Sequence, residues 1–202
     1  MEFSDAVRAR RMVRAFTDAP VDPGVIDHLC DLARRAPSAG NSQGVDLLVL
    51  EGPGQVGAYW DVTLPEPRRA AFRWPGLVAA PALVLVVTDP DAYVRRYAEA
   101  DKAATGLGAG EDAWSVPYWW VDAGAAAEHL LLGAVEAGLG ACLFGLFGHE
   151  AAVADAFGVP PGRRIVAAIA LGHPAEDAPG RSSGRSRRPL GDVIHRGRWE
   201  TP

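Results

Sequence analysis

One lysine, two cysteines and no apolar stretch of membrane length: each scarcity narrows what this chain does. Cys30 and Cys142 stand alone in apolar surroundings, with no close pair and no metal-ligand spacing. They read as free buried thiols, and nothing calls for an oxidising compartment. The five histidines (His28, His129, His149, His173, His195) fall at neither helical nor strand spacing, so no metal site is expected. The longest apolar runs, residues 81–88 and 123–132, are too short or too interrupted to span a bilayer. Met1-Glu2-Phe3-Ser4-Asp5 has no basic segment leading into an apolar run, so neither a signal peptide nor a membrane partner is expected, and the expected location is cytoplasmic. Lys102 stands against 19 arginines, a bias without functional weight of its own, and the net charge of −5 argues against nucleic acid as a partner.

What is present fits one globular domain over residues 1–202. The chain is 49% hydrophobic and 22% charged, and one of this size buries roughly 70% of the surface that its unfolded form exposes. Ser4 is a candidate cap for a helix over 5–14. Asp22-Pro23 starts a second, along which Val25, Leu29, Leu32 and Ala36 recur at helical spacing until Pro37. Strands are predicted over 46–51, 82–88, 141–147 and 164–171, and helices over 91–104, 121–137 and 149–157. A short helix is predicted over 55–60 within the turn-rich stretch 52–75, a glycine-rich loop over 105–117 and a terminal element over 190–195. Residues 82–88 are apolar on both faces, as a central strand covered on both sides must be. The expectation is an α+β layered fold with helices around a central sheet. Residues 174–202, rich in Gly, Ser and Arg where they begin, read as a C-terminal arm too long to idle on a compact monomer, hence one that reaches a partner subunit.

Two motif matches fail their structural test. Gly180-Arg181-Ser182-Ser183-Gly184 matches a nucleophile elbow but lacks the strand before it and the helix after it. Gly106-Leu107-Gly108-Ala109-Gly110 follows a predicted helix rather than a strand, which argues against a dinucleotide fingerprint.

Two short segments carry more. Arg10, Arg11 and Arg14 fall at i, i+1 and i+4, one face of the predicted first helix, and present fork-shaped donors that suit a phosphate. A solvated basic face is the plainer reading of the arginines alone. Pro37-Ser38-Ala39-Gly40-Asn41-Ser42-Gln43 then offers short polar groups, Ser38 and Asn41, that suit a polyhydroxyl chain. Trp114, Tyr118, Trp119 and Trp120 lie within seven residues and read equally as core aromatics or as the wall of a pocket for flat substrates.

Arg10-Arg11-Met12-Val13-Arg14-Ala15-Phe16 resembles the opening of the FMN-dependent nitroreductase family, and residues 37–43 resemble its ribityl-contacting loop. Residues 136–145, Glu-Ala-Gly-Leu-Gly-Ala-Cys-Leu-Phe-Gly, resemble its helix-to-strand turn beside the flavin. Leu171-Gly172-His173-Pro174 and Arg185-Ser186-Arg187 resemble its last strand and the basic pair over the phosphate. The match runs from about residue 5 to 195 in the family's order. Two positions depart from it: Met12 stands where the family has serine, and Gly44-Val45 where it has Pro-Trp.

The resemblance implies a nitroreductase-like fold with a mostly antiparallel sheet and a C-terminal arm exchanged in a homodimer. It implies FMN held by Arg10, Arg11, Met12, Arg14, Pro37, Ser38, Ala39, Asn41, Gln43, Phe144, Gly145, Leu146, Arg185 and Arg187. Arg14 would lie near the flavin ring, and the backbone of Gly145 and Leu146 near N5. Tyr97, Trp114, Trp119 and Trp120 are the candidate substrate pocket. NAD(P)H would supply hydride to N5, and a small flat acceptor such as a nitroaromatic or a quinone would remove it, with no side chain needed as nucleophile or base. A specialised flavin dehydrogenase or flavin-fragmenting enzyme, and a flavin-sequestering module, remain open as alternatives.

Overall fold

Four strands, Val45–Glu51 (β1), Ala82–Thr88 (β2), Gly140–Phe144 (β3) and Arg164–Gly172 (β4), make one antiparallel sheet in the order β1-β2-β4-β3. The computed structural model describes residues 1–176, 180 and 184–199. β2 lies inside the sheet and is buried at all seven positions. Its side chains alternate between faces as the period of two requires. Leu83, Leu85 and Val87 meet Ala168 and Ala170 of β4 on one side, while Ala82, Val84 and Val86 meet Ile169 and Leu171 on the other.

Each face carries its own layer of helices. Pro23–Ala33 (α2) and Tyr118–Glu136 (α6) cover one face, packing Ile26 and Leu29 with an alanine-rich stripe that includes Ala123, Ala126, Ala127 and Ala134. Asp22 caps α2 by accepting the Gly24 amide at 2.7 Å, with Pro23 in the first turn. Gly52–Thr63 (α3), the short Pro75–Val78 (α4) and Glu150–Phe157 (α7) cover the other face with Val56, Tyr59, Trp60, Leu77 and Val153. Phe3–Ala9 (α1) packs beside α6, and Pro90–Tyr97 (α5) supports a separate aromatic cluster.

Several expected boundaries move. α6 starts at Tyr118 behind Pro117 rather than at 121, and α3 is longer than the predicted 55–60. α5 ends at Tyr97, and the stretch to 113 is a series of 3-10 turns. β3 ends at Phe144 rather than 147, because residues 147–149 make a 3-10 turn.

The main correction concerns the arginine segment. α1 stops at Ala9, and Arg10, Arg11 and Arg14 share no helical face. Met12 forms a parallel bridge with Ala141, and Phe16 an antiparallel one with Pro174. The Val13 amide donates to Ala141 O at 2.9 Å, Phe16 to Gly76 O at 3.1 Å and Thr17 to His173 O at 3.0 Å. These tertiary acceptors satisfy the backbone that a longer helix would have satisfied internally. Glycine makes the approach possible, since a Cβ on Gly140 would come within 2.9 Å of Val13, and one on Gly76 within 2.8 Å of Ala15.

The arm begins where the Ala175 amide donates to Ala15 O at 2.9 Å. Further along, Leu190, Val193, Ile194 and Trp199 are exposed apolar side chains. Residues 181–183 of the elbow-like motif lie outside the described residues.

Candidate active site

Arg14 of the extended run, the end of β3 with the residues after it, and the segment from α3 to α4 line a cavity of about 300 Å³. Its walls are aromatic: Tyr59 and Trp60 from α3, Phe72 and Trp74 from the following loop, and Phe144 from β3. Trp60 stacks on Phe144 at 5.7 Å and 14°, and Tyr59 meets Trp60 edge-on at 5.1 Å. Burial pushes the Tyr59 phenol well above its ordinary pKa, so it stays protonated.

Arg14 supplies the charge. Its guanidinium lies 5.2 Å from the centre of the Trp74 ring and donates to Met12 O at 3.2 Å. His149 lines the same cavity, and among the described residues no carboxylate does. A flat aromatic group that carries or gains negative charge fits such walls.

Past β3 the chain passes Gly145 and Leu146, and then Phe147 takes a left-handed φ of +51° with its ring 92% exposed at the rim. Met12, which packs against both core layers, accepts the Leu143 amide on Sδ at 3.4 Å. The structure thus gathers Arg14, Phe144, Gly145 and Leu146 in one cavity, with Met12 bonded to its wall residue Leu143.

The other expected cofactor residues lie elsewhere. Arg10 pairs with Glu128 of α6 at 3.6 Å, and Arg11 is exposed with no ion pair among the described residues. Arg185 and Arg187 are likewise exposed, with no ion pair among the described residues. Pro37, Ser38, Ala39, Asn41 and Gln43 form a tight loop against α5 and α6 and do not line the cavity. Gly40, Asn41 and Gln43 have φ of +62°, +56° and +52°, and Ser38 Oγ accepts the Gln43 amide at 3.0 Å.

The aromatics of the second expected pocket are packed among themselves. Trp114 and Trp119 are buried with Tyr93 in one cluster, and Trp114 Nε1 donates to Leu107 O at 3.0 Å. Tyr97 meets Trp114 edge-on at 4.7 Å, and Trp120 lies under the Arg164 guanidinium at 5.2 Å. None of the four lines the cavity that holds Arg14.

Sequence reasoning missed Tyr59, Trp60, Phe72 and Trp74. The available signal is density, four aromatics within 16 positions beside Arg73, in a turn-rich stretch whose predicted helix over 55–60 already holds Tyr59 and Trp60. Cys142 is a buried thiol outside any disulfide, as expected, whereas Cys30, also unbridged, is only partly buried; burial, then the nearby Asp27 and Glu51 charges, push Cys30 up to about 11. Among the described residues no cluster of three or more His, Cys, Asp or Glu gathers as a metal site would, and no helix is long and apolar enough to cross a membrane.

The fold is thus a layered α+β domain with an antiparallel sheet and an aromatic, arginine-bearing cavity at a strand end. The Nitroreductase family model matches residues 7–173, and the chain belongs to that family. It is 29% identical to a 4-nitrobenzoate reductase of Nocardioides sp. (strain LMS-CY), over 93% of this chain and 87% of the relative. A Desulfovibrio desulfuricans protein of the nitroreductase type, solved in complex with FMN, is 26% identical, with a TM-score of 0.70 over 100% of this chain and 99% of that one. YcnD of Bacillus subtilis shares the fold, with a TM-score of 0.76 at 22% identity over 100% of this chain and 76% of that one.

Proposed function

We propose that this chain is an FMN-dependent oxidoreductase that passes hydride from NAD(P)H to a nitroaromatic, a quinone or a similar flat acceptor. The observation that carries the reading is the cavity itself: aromatic walls with the Arg14 guanidinium set against Trp74 among them. Bound FMN would supply the redox chemistry, taking two electrons as hydride and passing them on. The residues present fit it. Arg14 suits the ring edge that gains negative charge on reduction. The exposed Arg11, Arg185 and Arg187, which have no ion pair among the described residues, offer donors for a phosphate. The chain's own part is to bind, orient and exclude water, which explains why no triad or carboxylate pair is needed.

The reading extends to a homodimer. The 37–43 loop lies outside the cavity with Asn41 and Gln43 exposed, and the arm shows Leu190, Ile194 and Trp199 to solvent. Both make sense if one chain's loop and arm complete the site on the other.

The deciding experiment loads purified protein with FMN, removes the excess by gel filtration and records the visible spectrum anaerobically with NADH and with NADPH. A retained flavin band that bleaches with either nucleotide is expected. A retained band that neither bleaches turns the reading toward flavin sequestration or a specialised dehydrogenase, and no retained band overturns it.

A further inference from the structure

The loop over residues 37–43 is held from behind by two charged side chains for which the reading above has no use. Asp122, in the first turns of α6, is a buried carboxylate at 6% exposure. Its Oδ2 accepts the Ala39 amide at 2.9 Å across 83 positions of sequence. Arg96, on α5, donates from Nε to Gly40 O at 2.8 Å. Its two other nitrogens are fixed on Asp101 at 2.7 and 2.8 Å. Tyr97 completes the backing, since a Cβ on Gly40 would come within 2.8 Å of its ring.

The clamp has strain to oppose. Asn41 and Gln43 hold left-handed conformations that side-chain-bearing residues seldom adopt, and such conformations persist only where the surroundings over-determine them. Burying a carboxylate is costly unless it is well bonded, so a lone structural role for Asp122 is an expensive arrangement. The bonds it and Arg96 make fall on consecutive residues of the loop and fix its backbone. Ser38 Oγ accepts the Gln43 amide at 3.0 Å, and Asn41 is exposed in the same loop.

We propose that Asp122 and Arg96 are positioning residues for the cofactor, holding residues 38–43 in the conformation in which Ser38 and Asn41 meet the ribityl chain of FMN. The inference rests on the flavin reading. Neither residue touches the reacting atoms, and both act by preorganisation, so their loss costs affinity rather than chemistry.

The test measures FMN dissociation constants and kcat at saturating FMN for wild type, Asp122→Ala, Asp122→Asn and Arg96→Ala, with amide hydrogen exchange of residues 38–43 in the FMN-free protein. Asp122→Ala and Arg96→Ala should weaken FMN binding tenfold or more, speed exchange in the loop and leave kcat within about twofold of wild type. Asp122→Asn keeps an acceptor for the Ala39 amide and should recover most of the affinity, which a role confined to overall stability does not predict. Arg96→Ala, on the less buried side of the clamp, keeps the test open should Asp122→Ala fail to fold. Wild-type binding with FMN affinity unchanged in the folded variants overturns the inference alone. Failure of wild type to bind FMN brings down the flavin reading and this inference with it.

Discussion

Arg14 lies over the indole of Trp74, 5.2 Å from its ring centre, and so keeps a cation fixed in a cavity whose other walls are largely uncharged. A cation held there favours whatever in the cavity gains negative charge. Arg14→Ala is expected to lower the reduction potential of bound FMN by some tens of millivolts, about 30 mV for each 1.4 kcal/mol of lost stabilisation in a two-electron couple. Arg14→Lys, which keeps the charge but not the planar fork, should fall between the two. Spectroelectrochemical titration checks this, and equal potentials in all three proteins would remove Arg14 from the flavin ring.

Arg10 is placed differently. Its ion pair with Glu128 is long, at 3.6 Å, and the Glu128 side chain is 50% exposed, so the pair is weak and readily exchanged for a phosphate. Arg10→Ala and Arg187→Ala should each weaken FMN binding about tenfold or more, the loss of one charge-assisted bond. Glu128→Gln removes the competitor and should bind FMN as tightly as wild type or tighter. Fluorescence titration of FMN reads all three, and unchanged affinity in both arginine variants would contradict the phosphate assignment.

Much of this was legible in the sequence, and the failures have a common cause. Residues 82–88 are β-branched-rich and apolar on both faces, and β2 has the predicted bounds. Asp22-Pro23 carries its helix start in its own chemistry. The arginine segment misled because Arg10 through Arg14 have good local helix propensity, whereas the bonds that decide their conformation come from Gly76, Ala141 and His173. No local window contains those partners. The aromatic walls were hidden in the same way, since Tyr59 and Trp60 are separated from Phe72 and Trp74 by turns and meet Phe144 only through the fold. For Trp114 and Trp119 the sequence supplied both readings, and packing against Tyr93 favours the core.

Phe147 spends stability without an evident structural return. It holds φ at +51°, and its ring is 92% exposed at the cavity rim, so it recovers almost nothing by burial. A left-handed conformation costs a non-glycine residue about 1–2 kcal/mol, part of which glycine gives back through its more disordered unfolded state. Phe147→Gly is therefore expected to leave unfolding free energy unchanged or to raise it by up to about 1 kcal/mol in urea titrations. If the ring serves aromatic ligands at the cavity mouth, the same variant should raise KM for a nitroaromatic acceptor. A destabilised variant with normal kinetics would show that the ring has a purely structural role.

Glu150 and Arg164 form a two-bond ion pair, with distances of 2.8 and 2.9 Å and a further bond from the Ile165 amide to Glu150 at 3.0 Å. The Arg164 guanidinium, then the Ile165 amide, hold the Glu150 carboxyl below its ordinary 4.5 against the opposing effect of burial. A carboxyl with a lowered folded-state pKa binds fewer protons folded than unfolded. Its contribution is therefore complete above about pH 4.5 and is lost as the pH falls through the lower folded value. Glu150→Gln should be less stable than wild type at neutral pH, and the difference should narrow steadily on acidification below pH 4.5. Urea denaturation across that range measures it. Parallel stability curves for the two proteins would mean that the pair ties α7 to β4 without contributing to acid sensitivity.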